Sequence, residues 1–244
     1  MQNRKRADIF LVEKGFYQSR TRAQEAITAG LVKIDGEILQ KASQMVFSDA
    51  RVEAEQPHEF VSRGGMKLEA ALQHFHCTVR GMTCLDLGAS TGGFTEVLLR
   101  HEALKVYAVD VGHGQLHEKL REDDRVINLE KTDARSLTPD LIPEAIDCIV
   151  SDVSFISLKL VLPAAVAFTK SDAQLIILVK PQFEAGKAAV KKGIVRDKHI
   201  HEQVCREMQT FVEELGFSVE GIIPSPITGG DGNTEFLLVA HRKG

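Results

Sequence analysis

Thirteen residues, Thr83 to Thr95 (TCLDLGASTGGFT), constrain this chain more than any other stretch. Thr83 to Leu87 is short and apolar and reads as a buried strand. Gly88-Ala89-Ser90-Thr91-Gly92-Gly93 is a glycine-rich turn, and Phe94 to Leu99 opens an apolar-periodic helix. Strand, glycine turn and helix together begin a nucleotide-type α/β domain. Gly88 lets the chain leave the strand sharply, and Gly92-Gly93 let a ligand approach bare backbone at the helix N-terminus. A dinucleotide site calls for G-x-G-x-x-G. Here Ala89-Ser90 stand where the second glycine belongs, which argues against a nicotinamide-dependent dehydrogenase. Taken alone, the run also suits an ordinary tight strand-to-helix turn, so the rest of the chain has to decide.

The 244 residues suit one large α/β domain and a small appendage, with 43% apolar residues to fill a core. No run of 18 apolar residues offers a membrane span. Asp8 and Glu13 interrupt what would be the apolar part of a signal peptide, so secretion is not expected and a cytoplasmic location is. Cys77, Cys84, Cys148 and Cys205 form no C-x-x-C pair and read as reduced, packed residues. His113, His117, His199 and His201 show no metal-ligand spacing, and no metal is expected.

Net charge is −4, yet residues 1–41 carry eight Lys/Arg against five acids, a local balance of +3 that leaves −7 for the remainder. A basic end on an acidic body suits a polyanionic partner, although a solvated helix face would look the same by composition. Within that end, Ala7, Ile9 to Val12 and Phe16 suggest a helix closed by Gly15. Ser19 can cap a second helix ended by Gly30. Val32 to Ile34 and Glu37 to Leu39 read as a hairpin about Asp35-Gly36, with Val46 and Arg51 to Ala54 as further short strands. The division expected is a domain over 1–56, a linker over 57–65 around Pro57, Gln56, His58 and Glu59, and a second domain over 66–244.

In the second domain, Met66 to Phe75 reads as a helix with Lys67 in its first turn, where the helix dipole disfavours a cation. Strands are expected at Val106–Val111, Val126–Leu129, Ile146–Val150, Leu175–Val179 and Glu235–His241, the last after a Gly229-Gly230-Asp231-Gly232-Asn233 turn. Helices are expected over Leu158–Phe168 and Lys198–Leu215, which makes a mostly parallel sheet covered on both faces. Active residues of such sheets collect at the carboxyl ends of strands. Asp86, Asp110, Asp133, Asp152 and Lys180 all fall there. One acid after a strand is ordinarily a helix cap; five ionisable residues at successive ends are not explained that way. Ser154 to Ser157 can shape a substrate pocket, and Lys187, Lys191, Lys192 and Arg196 form a basic loop that suits either RNA or solvent.

Three resemblances sharpen this reading. The run D-x-G-x-x-x-G-G-F-T from Asp86 resembles the first motif of S-adenosylmethionine-dependent methyltransferases. That likeness implies a Rossmann-like α/β fold with the cofactor at Asp86, Gly88, Ala89, Ser90, Gly92, Gly93 and Phe94. Asp110 would take the adenosine ribose, Asp133 the adenine amino group, and Val111 and Asp152 would border the site. Ser19 to Gly36 (SRTRAQEAITAGLVKIDG) resembles the S4-type RNA-binding domain over about residues 4 to 55. This implies that Arg20, Arg22 and Lys33, together with Arg4, Arg6 and Arg63, face RNA phosphate, which positions a protein without reading sequence.

Finally, Lys67, Asp152, Lys180 and Glu235 resemble the Lys-Asp-Lys-Glu set of FtsJ-like ribose 2′-O-methyltransferases. The words FVSRGGMKL, SDVSFISL, LVKPQFE and NTEF extend the likeness to the TlyA, or hemolysin A, family across nearly the whole chain. The family implies methyl transfer to the 2′-hydroxyl of cytidines in ribosomal RNA, with ribosomal RNA or ribosomal subunits as partners. Lys180 is the candidate base, or else the charge that steadies the developing alkoxide. The competing readings are a buried ion-pair network without chemistry, a membrane-active hemolysin-like protein, and a non-catalytic RNA-binding assembly factor.

Overall fold

A computed structural model describes residues 4–55, 59–186, 189–229 and 232–242. Gln56, Pro57 and His58 of the expected linker, Lys187 of the basic loop, and Gly230 and Asp231 of the last turn lie outside the described residues. The chain forms two compact units, Met1–Glu59 and Phe60–Gly244.

The first unit is built from β1 (Arg4–Arg6), α1 (Ala7–Glu13), α2 (Arg20–Thr28), β2 (Val32–Ile34), β3 (Glu37–Ile38), β4 (Met45–Phe47) and β5 (Val52–Ala54). Ser19 Oγ accepts from the Arg22 amide and starts α2. Asp35 and Gly36 both take left-handed φ values, +51° and +86°, which is the turn a two-residue hairpin needs to join β2 and β3. β2 lies between β3 and β5, while β1 pairs with β4. Phe10, Leu11, Ala23, Ile27, Val32 and Val46 fill a small core against the two helices. β1 was not expected from the sequence: Arg4-Lys5-Arg6 has no apolar alternation, and pairing with β4 alone makes it a strand.

The second unit contains α3 (Gly64–His74), β6 (Thr83–Leu87), α4 (Gly93–Arg100), β7 (Lys105–Asp110), α5 (Glu118–Arg121), β8 (Val126–Glu130), β9 (Ile146–Ser151), α6 (Leu158–Ala165), β10 (Thr169–Val179), α7 (Pro181–Glu184), α8 (Lys198–Glu214), β11 (Phe217–Pro224) and β12 (Phe236–Arg242). The seven strands run in the order β11-β12-β10-β9-β6-β7-β8. The five from β10 to β8 are mutually parallel, and β12 is antiparallel to both β10 and β11. Side chains alternate through the sheet. Cys84, Val106, Cys148, Val150, Ile176 and Leu178 pack with α3 and α4 on one face. Leu85, Tyr107, Ile149, Leu175 and Ile177 pack with α6 and α8 on the other.

Besides the short helices α5 and α7, which were not expected, and α6, which ends at Ala165 and not Phe168, the elements differ from expectation at α3, β10 and β11. α3 starts at Gly64, not Met66, because a first helical turn tolerates glycine and the Phe60 ring lies where a side chain on Gly65 would stand, 2.5 Å from an added Cβ. β10 begins at Thr169, not Leu175. β11 was not expected; its register shifts between Val219 and Gly221, which breaks the alternation that would have revealed it.

Candidate active site

The turn after β6 is shaped by close approach. Gly88 has φ +81°, and a Cβ there would stand 3.0 Å from Val153 Cα and 3.1 Å from the Asp152 carbonyl oxygen. Gly92 has φ +96° at the start of α4, where a Cβ would strike Leu120. The turn is held from β7. Asp110 accepts the Ser90 amide on Oδ2 (2.8 Å) and the Gly112 amide on Oδ1 (2.7 Å). Ser90 Oγ donates to Gln115 Oε1 at 3.1 Å.

Above this turn lies a cavity of about 570 Å³. Of the residues expected around a cofactor, Gly88, Ser90, Asp110, Val111, Asp133 and Asp152 line it. Val111 is 74% exposed, an apolar side chain left open at the end of β7. Asp133 is already engaged: Arg135 beside it, through its guanidinium and its amide, holds the Asp133 carboxyl down to about 2. The other five expected residues do not line the cavity. Ala89, Gly92, Gly93 and Phe94 form its support, with Ala89 and Phe94 buried. Asp86 is fully buried; burial pushes its carboxyl up to about 7, while Thr95 Oγ1 donates to it at 2.6 Å. Its role in this structure is to join β6 to α4 from beneath.

The sequence reading missed Gln115, Thr132, Arg135 and Val153 in the lining, and Glu130 behind it. Burial would push the Glu130 carboxyl up, but the amides of Gln115, Gly114 and Leu116 draw it to about 2 and fix the loop that carries Gln115. An acid bound to a loop's backbone leaves no spacing in the sequence by which to find it.

At the carboxyl edge of the sheet the four expected ionisable residues meet. Lys67 comes from α3, Asp152 follows β9, Lys180 follows β10, and Glu235 precedes β12. Lys67 Nζ lies 2.7 Å from Glu235 Oε2 and 3.6 Å from Asp152 Oδ2. Lys180 Nζ lies 2.6 Å from Asp152 Oδ1 and donates to Ser154 Oγ at 2.7 Å. The result is a neutral chain, Glu235–Lys67–Asp152–Lys180, with both lysines and Glu235 buried. Asp152 also lines the cavity, so the charge chain borders it through that residue. Phe155 projects beside it, 92% exposed, with its ring 5.3 Å from that of Phe183.

In the first unit the expected RNA-facing cations are arranged unequally. Arg6 and Arg20 are both drawn onto Asp8, which is fully buried and also accepts from Gln24 and the Ile9 amide. Each of these two arginines, expected to face RNA phosphate, already spends donors on Asp8, because a buried carboxylate requires partners. Arg6 and Arg20 remain 42% and 55% exposed at their side chains. Arg4 lies over the Phe47 ring at 4.1 Å, and Lys33 is exposed. Arg22 and Arg63 are half-buried, Arg63 belonging to the second unit at the start of α3. Lys191, Lys192 and Arg196 of the basic loop surround a bridge between Lys191 and Ile194, turned at Lys192 and Gly193.

Comparison with known proteins gives consistent matches. The FtsJ-like methyltransferase family matches residues 60–242, and the S4 domain matches residues 5–52. A 16S/23S rRNA (cytidine-2′-O)-methyltransferase, TlyA, from Mycobacterium tuberculosis is 45% identical over 241 residues, spanning 98% of this chain and 90% of that protein. Hemolysin A of Brachyspira hyodysenteriae is 40% identical over 235 residues, spanning 95% and 98%. A solved chain from Streptococcus thermophilus, described provisionally as a hemolysin, superposes with a TM-score of 0.79 at 41% identity, covering 100% of this chain and 90% of that one.

Proposed function

The chain belongs to the FtsJ-like methyltransferase family and carries an S4 domain, and from that premise we propose that it transfers a methyl group from S-adenosylmethionine to the ribose 2′-hydroxyl of a cytidine in ribosomal RNA, working in the cytoplasm on ribosomal RNA or ribosomal subunits. The observation that carries this reading is the four-residue charge chain that borders, through Asp152, the cavity above the glycine turn.

The residues present suit the cofactor. Gly88 offers bare backbone, and each Asp110 oxygen keeps a lone pair beyond its amide partner for a ribose hydroxyl. Val111 offers an apolar face for an adenine ring. When bound, the cofactor supplies an activated sulfonium methyl. The protein's remaining task is to align a ribose oxygen and take charge of its proton. Lys180 Nζ has three positions. Asp152 and Ser154 engage it, and in this reading the ribose hydroxyl takes the remaining one. Neutral, Lys180 takes the hydroxyl proton there; charged, it donates to the forming alkoxide. A single-turnover rate that rises with pH to a plateau assigns the first role, and a flat or falling profile the second. Lys67, fixed by Glu235, neutralises the far side of Asp152. Phe155, open to solvent beside Lys180, suits stacking against a base lifted out of the RNA fold.

Transfer of labelled methyl to isolated small- and large-subunit ribosomal RNA, with the product nucleotide identified, tests the reading. Lys180→Met is expected to slow transfer by roughly 10²–10⁴-fold while cofactor affinity stays within a few-fold. Full activity in that variant would remove Lys180 from the mechanism. The hemolysin name of one relative makes liposome lysis a useful control. Among the described residues no helix is long and apolar enough to cross a membrane, and no lysis is expected.

A further inference from the structure

Two segments that leave neighbouring strands, 152–158 after β9 and 180–184 after β10, are fastened at successive points. Asp152 and Ser154 both meet Lys180 Nζ. Phe155 then packs its ring on Phe183. Beyond the site already described, Glu184 closes the row: its Oε2 accepts Ser157 Oγ–H at 2.5 Å and its Oε1 accepts the Leu158 amide at 2.8 Å.

Between these fastenings sits a residue that does not hold its own conformation. Phe155 has φ +65°, in the left-handed region, where a non-glycine residue is strained. Its ring is 92% exposed, so little burial offsets that strain. The segment must therefore be held from both ends. Lys180 holds Ser154 upstream, and Glu184 holds Ser157 and Leu158 downstream. Helix capping alone does not account for Glu184, since Ser157 Oγ already accepts from the Lys159 amide at the start of α6. Burial works against the Glu184 carboxylate, yet it is kept there.

Phe155 and Ile156 also border two spaces at once, the cavity above the glycine turn and an adjoining open cavity lined by Ser157, Gln182 and Phe183. The position of 154–156 thus sets the partition between them.

We propose that Glu184 is a positioning residue for methyl transfer: it ties the 157–158 end of the partition to the strand end that carries Lys180, and so keeps Phe155 in its left-handed conformation and the Ser154 hydroxyl on Lys180. The inference rests on the reading that Lys180 and Phe155 meet the RNA nucleotide. Glu184→Gln can keep both contacts, accepting from Leu158 through the carbonyl and donating to Ser157 through the amide. Glu184→Ala keeps neither.

In the full chain, with ribosomal RNA as substrate, Glu184→Ala is expected to lower the single-turnover rate at least tenfold, and Glu184→Gln to restore it to within threefold of the parent. A double-mutant cycle separates positioning from general destabilisation. Glycine adopts φ +65° freely, so in a Phe155→Gly background the further loss from Glu184→Ala is expected to shrink to threefold or less. An equal loss in both backgrounds, or a rate for Glu184→Gln as low as for Glu184→Ala, overturns the proposal. If Lys180→Met abolishes transfer and Glu184→Ala leaves it unchanged, the positioning role fails and the reading of the site stands. If neither variant slows transfer, the reading of the site itself fails.

Discussion

Lys67 and Glu235 lie 168 positions apart in the sequence and 2.7 Å apart in space, both almost shut off from solvent. Removing Glu235 leaves the buried Lys67 with only its longer, 3.6 Å contact to Asp152, and breaking a buried pair in this way costs about 3–5 kcal/mol. Glu235→Ala is therefore expected to lower the urea unfolding free energy by roughly that amount. The double replacement Lys67→Met with Glu235→Leu is expected to cost less than Glu235→Ala alone, because neither charge then remains. Asp86 makes a second test at this scale. Its folded pKa, about 7, stands above its unfolded value of 3.8. Its contribution to stability is thus fully present below pH 3.8 and is lost as pH rises through about 7, with a slope of up to about 1.4 kcal/mol per pH unit. Urea midpoints of the parent should fall between pH 5 and 7 relative to those of Asp86→Asn, which has no proton to lose. The residue types that meet at the strand ends were legible in the sequence because each sits beside a recognisable strand. Glu184, Glu130 and Asp8 were not. Each is defined by what folding brings to it, and an isolated acid in a helix or strand carries no local mark of that.

At the scale of elements, the sequence displayed β6, the glycine turn and α4 plainly, since a five-residue apolar run, a sharp exit and a helical period coincide there. β11 stayed hidden because a bulge at Gly221 spoils its alternation. That glycine is itself enforced: an added Cβ would lie 2.8 Å from the Phe75 ring. Gly88 is the position where element and site constrain each other most tightly. Gly88→Ala would force a left-handed alanine against the backbone of Asp152 and Val153. The turn and the segment after β9 would have to part. The expected outcome is a melting temperature lower by several degrees and a cofactor affinity lower by at least tenfold, read by calorimetric titration. A Gly88→Ala protein with parental affinity would mean that the turn has room that this geometry denies it.

For the molecule as a whole, the basic stretch over residues 1–41 belongs to a first unit in which nine Lys/Arg meet nine acids, while the second unit holds the cavity. Arg4, Arg22 and Lys33 spread across that first unit. If they neutralise RNA phosphate, replacing them by Gln weakens RNA binding with little dependence on sequence. The slope of log K against log salt should then flatten by about one for each residue replaced. An unchanged slope would place the RNA contacts elsewhere. The basic stretch over residues 1–41 was visible in composition, while the bonding of Arg6 and Arg20 to Asp8 was not, since charge counts carry no information on pairing.

The last strand carries one more consequence. β12 slots between β10 and β11, two strands that are made before it, and Glu235 enters the charge chain only as that slot is filled. Without β12, β10 presents a bare edge, β11 has no partner in the sheet, and Lys67 lacks its nearest acid. Assembly of the tetrad thus waits on β12, so that a copy terminated before Glu235 would lack its complete charge chain and be prone to pair the bare β10 edge with a neighbour's.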